Sequence, residues 1–465
     1  GLDAILTDVE VGFSRGIPGV TIVGLPDNAI KESRERIKLA IKHAGFEYPV
    51  GQKIVVNLSP ADLRKEGSSL DLPIAVGILK NRYELKSPVF RNYLFFGELN
   101  LKGDLNPVRG VLNLALFAKK NGFKGVVIPY KNGNEASFVS GIDIYAFENL
   151  KSVMDFIIAP DQTLPFKGSR IIKARENQEE DFSEIKGQYL AKRVMEIAAA
   201  GFHNVLMIGP PGSGKSMLSK ALPSILPDME EEETLETSLI YSATGYLNQD
   251  NSIVSKRPFR SPHHTISDVG ITGGGKYPIP GEISLAHNGV LFLDELPYFK
   301  KTALEVLRQP LENGEITISR SLTTHTFPAK FMLVTAMNPC EDSIGIKEYQ
   351  YYNCTESQRR NYYSKISKPL LDRIDLQIEV KKVKIDEITS TVQAESSKDI
   401  KHRVVKARQA QLQRFKNLKH KIFANGQMSN KEIKQFCSLT RQSEELINSA
   451  IDKLNLSARS YFKIL

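Results

Sequence analysis

The run Gly209-Pro210-Pro211-Gly212-Ser213-Gly214-Lys215-Ser216 satisfies the spacing G-x-x-x-x-G-K-[ST]. Glycines there let the backbone turn its N–H groups towards phosphate oxygens, and a helix opening at Lys215 adds its positive end. Lys215 suits the β- and γ-phosphates of ATP, and the Ser216 hydroxyl suits Mg²⁺. A second acidic element is needed to hold the metal. The apolar stretch 289–293 ends in Asp294 and Glu295. Asp294 is expected to bind Mg²⁺ through water, and Glu295 to orient and deprotonate the attacking water. The plain alternatives are a glycine-rich turn without a ligand and a strand end capped by acids.

Three further side chains suit the same chemistry. The stretch 331–337 ends at Asn338-Pro339, and an amide at a strand tip can hold water near the γ-phosphate; otherwise Asn338 simply opens a turn before proline. In Leu370-Leu371-Asp372-Arg373-Ile374-Asp375, an arginine just before a strand can reach a neighbouring subunit's γ-phosphate; otherwise it pairs with Asp372 on the surface. Arg459, on a late helix, is placed to touch the phosphate from a helical lid.

The elements that must position these residues follow from hydrophobic periodicity. Val205–Ile208 reads as a buried strand before the phosphate loop, with a helix behind it, and α/β alternation runs to about Val380. Beyond Lys381 the pattern is helical and basic. Before the phosphate loop, 1–165 reads as α+β. Gly19–Val23, 53–57 and Gly125–Pro129 are expected as strands. A helix capped by Asp27 or Asn28 is expected to run to His43 with Ile30, Ile37 and Ile41 on one stripe, and a second near Val111–Lys120. Acidic residues at 230–233 are expected to open a helix. The polar stretch 166–181 reads as a linker. The domains are therefore expected at 1–165, 182–382 and 383–465. The last reads as a basic helical lid that the natural protein is expected to continue.

The chain has 465 residues, a net charge of +9 and three cysteines, Cys340, Cys354 and Cys437, with no CxxC pair. No apolar run is long enough to cross a bilayer. The thiol content fits a reducing cytoplasm. From Lys401 onwards, 14 Lys and Arg face four Asp and Glu, so this segment carries the whole excess charge. A basic module on a near-neutral body points to a polyanion such as nucleic acid, or else to a solvated helical face.

The order of these motifs resembles the AAA+ ATPases of the magnesium-chelatase/MCM group. The segments RPFRSPHHTIS (257–267), PGEISLAHNGVLFLDELPYF (280–299) and LRQPLENGEITISR (307–320) resemble its ComM/YifB family closely, as do GIPGVTIVGLPDNAIKESRERIKLAI and KIVVNLSPADLRKEGSSLDLPIAVGIL near the start. The resemblance covers essentially the whole chain. It implies an α/β chain: a Lon-protease-like α+β domain, an αβα P-loop AAA+ core and a helical lid. It implies a hexameric, cytoplasmic DNA helicase that promotes branch migration on single-stranded and branched DNA during natural transformation, with recombination proteins as further partners.

The group carries two insertions facing a central pore, here expected at 265–280 and as a hairpin from Ile316 to Phe327. Lys276, Arg320 and His325 are then placed to meet DNA phosphates and Tyr277 to stack on a base; the alternative is two surface loops. Lys256, Arg257, Phe259 and Arg260 form another basic–aromatic cluster, expected to meet nucleic acid or a neighbouring subunit. Structural zinc is not expected: two thiols do not make a four-ligand site, and adjacent His263 and His264 in an extended segment point apart. In the Lon-like domain Ser69 takes the nucleophile position, but Leu112 stands where the base lysine belongs, and an unactivated serine is a poor nucleophile. An ATP-driven remodeller of a protein or metal-chelatase complex is the alternative to a DNA motor.

Overall fold

The computed structural model describes residues 2–65, 67–168, 180–275, 278–319, 324–340, 355–389, 394–418, 422–454 and 458–465. They fall into two compact units, Gly1–Ala174 with Glu231–Ser255, and Arg175–Glu230 with Lys256–Leu465.

In the first unit, Lys53–Ser59 lies between Asp8–Ser14, antiparallel to it, and Gly19–Val23, parallel to it. Its alternate residues Ile54, Val56 and Leu58 are buried, as a period of two requires. The helix Asn28–His43 is capped by Asp27, whose carboxylate accepts from Ile30 N at 2.9 Å, and it buries Ile30, Ile37 and Ile41 against this sheet. A second sheet is all parallel, with Gly125–Pro129 between Tyr93–Phe95 and Asp143–Phe147. Val127 of its central strand enters one apolar cluster, and Val126 and Ile128 enter another with Val111–Lys120. A strand covered on both faces needs a continuous apolar run, and Gly-Val-Val-Ile-Pro supplies it. Leu112 lies fully buried in that second cluster.

The helix expected from the acidic run is present as Glu231–Thr244 and packs within the first unit, although the residues before it, 175–230, belong to the second. Leu235 and Leu239, one turn apart, join the cluster around Leu112. Ser242 then donates to the buried carboxylate of Glu135, which also accepts from Asn132 Nδ2 at 3.0 Å and Leu112 N at 3.2 Å. Burial pushes the Glu135 carboxyl above its ordinary range despite these donors.

The second unit is built on five parallel strands: β1 (Val205–Ile208), β2 (Phe259–Arg260), β3 (Val290–Leu293), β4 (Met332–Met337) and β5 (Leu376–Glu379). Their order is β2-β3-β4-β1-β5. β3 and β4 are buried along their whole length. Tyr189–Gly201, Lys215–Ile225 and Ser397–Phe415 contribute Met195, Leu222 and Val404 to the same core. The chain is thus mixed α/β. Because every strand runs the same way, all carboxyl ends meet at one edge of the sheet and all amino ends at the other.

Some basic side chains of the C-terminal segment are spent inside this unit. Arg408 is buried and donates to Ala199 O and Ala200 O; Arg403 pairs with Glu196 and Glu395; Lys401 pairs with Asp228 and Lys463 with Asp375. Cys340 is disulfide-bonded, while Cys437 is free. Among the described residues no helix is long and apolar enough to cross a membrane.

Candidate active site

The phosphate loop follows β1 at the carboxyl edge. Gly209 N donates to Met337 O at 3.1 Å, and a Cβ on Gly209 would lie 2.1 Å from Val380 O, so only glycine fits between β4 and β5. Gly214 takes φ +92°, which lets Lys215 open its helix directly behind the turn. The Gln188 side chain clamps the loop by donating to Ser213 O at 2.9 Å and Lys381 O at 2.6 Å.

Lys215 is buried, and its ammonium donates to Gly209 O at 2.7 Å, Pro210 O at 2.9 Å and Asn338 Oδ1 at 3.0 Å. This brings the strand tip of β4 onto the loop. Tyr362 Oη holds the other side of Asn338 by donating to its carbonyl at 2.9 Å. Ser216 Oγ donates to Asp294 Oδ2 at 2.8 Å, which sets two hard oxygen donors side by side beyond β3. Such a pair suits Mg²⁺.

Glu295 turns sharply away from β3. Its backbone is left-handed, φ +55°, with its N–H donating to Asp294 Oδ1 at 2.9 Å. Non-glycine residues rarely adopt this conformation, and where they do the surroundings hold them there. Here His264 Nδ1 lies 3.2 Å from Glu295 Oε2. An extended segment would set the rings of His263 and His264 on opposite faces. The rings instead lie 4.1 Å apart, because the segment is a turn closed by Ile266 N donating to His263 O, not an extended strand. In the basic–aromatic cluster at 256–260, Lys256 is exposed while Arg257, Phe259 and Arg260 turn inwards. Arg257 is buried on Pro227 O and Asn288 O, Arg260 makes a two-pronged pair with Glu282, and Phe259 stacks on Phe292.

Arg373 stands at the opposite edge. It precedes β5, and its carbonyl accepts from the Asn204 side chain at 2.9 Å, just before β1 begins. The phosphate loop follows the other end of β1. Arg373 pairs with neither Asp372 nor the phosphate loop. Its Nη2 meets Glu312, Nη1 donates to Pro369 O at 2.7 Å, and its side chain is 10% exposed. Lys463, on the helix Ala458–Ile464, pairs with Asp375 at 2.8 Å at this same edge. The side chain of Arg459 on that helix lies outside the described residues.

Of the expected DNA contacts, Lys276, Tyr277 and Arg320 lie outside the described residues. Their flanks are described. Gly273–Gly274 pairs with Ile279–Pro280, and Glu315–Ser319 pairs with Thr324–Pro328, Ile316 facing Phe327. His325 faces Ile318 in that second hairpin, and burial pushes its imidazole below the usual value.

Comparison with known proteins agrees along the chain. Residues 181–388 match the family described as Magnesium chelatase, subunit ChlI; residues 9–132 match Subunit ChlI of Mg-chelatase; residues 394–465 match Magnesium chelatase, subunit ChlI C-terminal. Competence protein ComM of Haemophilus influenzae is 41% identical, with all of this chain and 90% of that protein covered. Uncharacterized protein YifB of Escherichia coli is 40% identical over the same shares. The Magnesium-chelatase 38 kDa subunit of Cereibacter sphaeroides is 26% identical, over 35% of this chain and 54% of its own length.

Proposed function

The chain belongs to the ComM/YifB family of magnesium-chelatase-like proteins, and from that premise we propose that it is an ATP-driven AAA+ DNA motor, a helicase working as a hexameric ring. The observation that carries the reading is the division of chemistry between the two edges of one parallel sheet. Lys215, Ser216, Asp294, Glu295 and Asn338 gather where the strands end, the usual ligand edge of open α/β sheets. Arg373 is held where they begin, at the edge away from the phosphate loop of its own chain, which suits a site in a second molecule.

The residues fit nucleotide and metal: an open glycine turn with a buried lysine, beside an adjacent hydroxyl and carboxylate. ATP supplies the transferable phosphoryl group, and Mg²⁺ offsets its charge. The backbone N–H groups at 212–215 bind phosphate, since Pro210 and Pro211 have none and the Gly209 N–H is held by Met337 O. Lys215 exchanges its carbonyl partners for β- and γ-phosphate oxygens. Ser216 and Asp294 hold the metal. Asn338 orients the attacking water, and Glu295 takes its proton. Arg373 serves the site of the neighbouring subunit, and Arg459 touches the phosphate from the helical lid. Lys276, Tyr277 and Arg320 meet DNA. The family resemblance extends the reading to branch migration during integration of transforming DNA.

The test is the ATP hydrolysis rate with and without single-stranded and four-way-junction DNA. Stimulation by DNA is expected. A rate indifferent to both, but raised by a protein or chelatase partner, would favour the remodeller instead.

A further inference from the structure

Arg373 is fixed at its backbone by hydrogen bonds and at its tip by an ion pair and one carbonyl. Arg373 N donates to Leu370 O at 3.0 Å, and its carbonyl is held by Asn204. The guanidinium is aimed by Pro369 O and Glu312 alone among the contacts its side chain makes in the described residues, and its Nε is buried without a hydrogen-bond partner there. Glu312 lies one residue from the end of the helix Arg308–Asn313. That helix stops at Gly314, φ +70°, whose carbonyl accepts from Ala329 N at 2.8 Å and so closes the mouth of the hairpin 315–328. Helix end, Gly314 and hairpin are therefore one continuous piece. A cavity of about 570 Å³ is lined by Arg308, Thr317, Ser319 and Arg373.

We propose that Glu312 is the positioning residue of Arg373, and that through it the hairpin 315–328 sets where the guanidinium points. The inference rests on the reading that Arg373 completes a neighbouring subunit's site and that the hairpin meets DNA. A displacement of the hairpin travels through Gly314 to Glu312. The Glu312 carboxylate is half exposed, so its hold on Arg373 is weak enough to be exchanged for a phosphate. DNA seated on one subunit thereby governs hydrolysis on the next, without any change at the phosphate loop.

The experiment compares Glu312→Gln, Glu312→Asp and Arg373→Ala in the full chain. It measures kcat and KM for ATP with and without single-stranded DNA, and DNA affinity by fluorescence anisotropy. For Glu312→Gln, stimulation by DNA is expected to fall about tenfold while KM and DNA affinity stay at native values. Glu312→Asp, which keeps the charge, is expected to recover part of the stimulation. Native stimulation in Glu312→Gln overturns the proposal. So does an equal loss of KM and DNA affinity, which marks a merely structural residue. If Arg373→Ala hydrolyses ATP at the native rate, the reading of Arg373 itself fails, and that result does not depend on Glu312.

Discussion

At the scale of single residues, the two charged groups of the phosphate site are expected to fail differently. Lys215 is tied to two backbone carbonyls and Asn338, so Lys215→Ala removes the cation that binds phosphate and loosens the tip of β4 as well. It is expected to weaken nucleotide binding itself. Glu295 is half exposed and held by His264, so Glu295→Gln is expected to bind nucleotide normally and lose about 10²–10⁴-fold in turnover, the usual contribution of a positioned base. Equilibrium binding of a fluorescent nucleotide and steady-state hydrolysis separate the two; native turnover in Glu295→Gln would show that the base lies elsewhere. Lys215, Ser216 and Asp294 were legible in the sequence because their chemistry is local: a loop and a strand end with motif spacing. His264 beside Glu295 was not, because the pairing depends on a turn at 263–266 that adjacent histidines do not announce.

At the scale of elements, the helix Tyr189–Gly201 is tied to Ser397–Phe415 by Glu196. Its side chain, 10% exposed, accepts from Arg403 Nε at 2.7 Å and Nη2 at 3.1 Å. Arg403 holds this carboxyl below its ordinary range. A carboxylate so lowered contributes stability that is complete above about pH 4.3, the unfolded value, and is lost as pH falls through the lowered value. Glu196→Gln is expected to cost about 1–2 kcal/mol near neutrality, the arginine partner being partly exposed. That deficit should shrink below pH 4, which thermal midpoints at pH 7 and pH 3.5 would reveal; an equal deficit at both would exclude the ion pair as its source. The elements themselves were largely readable, since Val205–Ile208 and Gly125–Pro129 are buried apolar runs and Asn28–His43 announces its cap and stripe. The docking partner of Glu231–Thr244 was not readable. Leu235 and Leu239 mark an apolar face, but nothing in an amphipathic pattern says which core accepts it. For the same reason the arginines at 257 and 260 looked available for nucleic acid until their partners, Asn288 and Glu282, were brought up by the fold.

At the scale of the whole molecule, a site shared between subunits predicts complementation. Arg373→Ala is expected to bind ATP and to lose about 10³-fold or more in turnover. Mixed with Lys215→Ala subunits it should recover part of the loss, because a native arginine then faces an intact phosphate loop at some junctions. No recovery in verified mixed rings would assign Arg373 to its own subunit. DNA binding is expected to be electrostatic and indifferent to sequence. A protein neutralising about six phosphates loses about 10³-fold in affinity between 50 and 200 mM salt, so a flat salt titration would refute this. The path of the chain through its two units has a further consequence. The backbone enters the second unit near 175, returns to the first at 231 and leaves it again at 255. The units are thus stitched together rather than strung end to end. A protease site engineered into 166–181 should yield two bands on a denaturing gel but a single native species, since the larger fragment still carries 231–255 within the smaller fragment's fold. No single break in the gene therefore hands on either unit whole and alone.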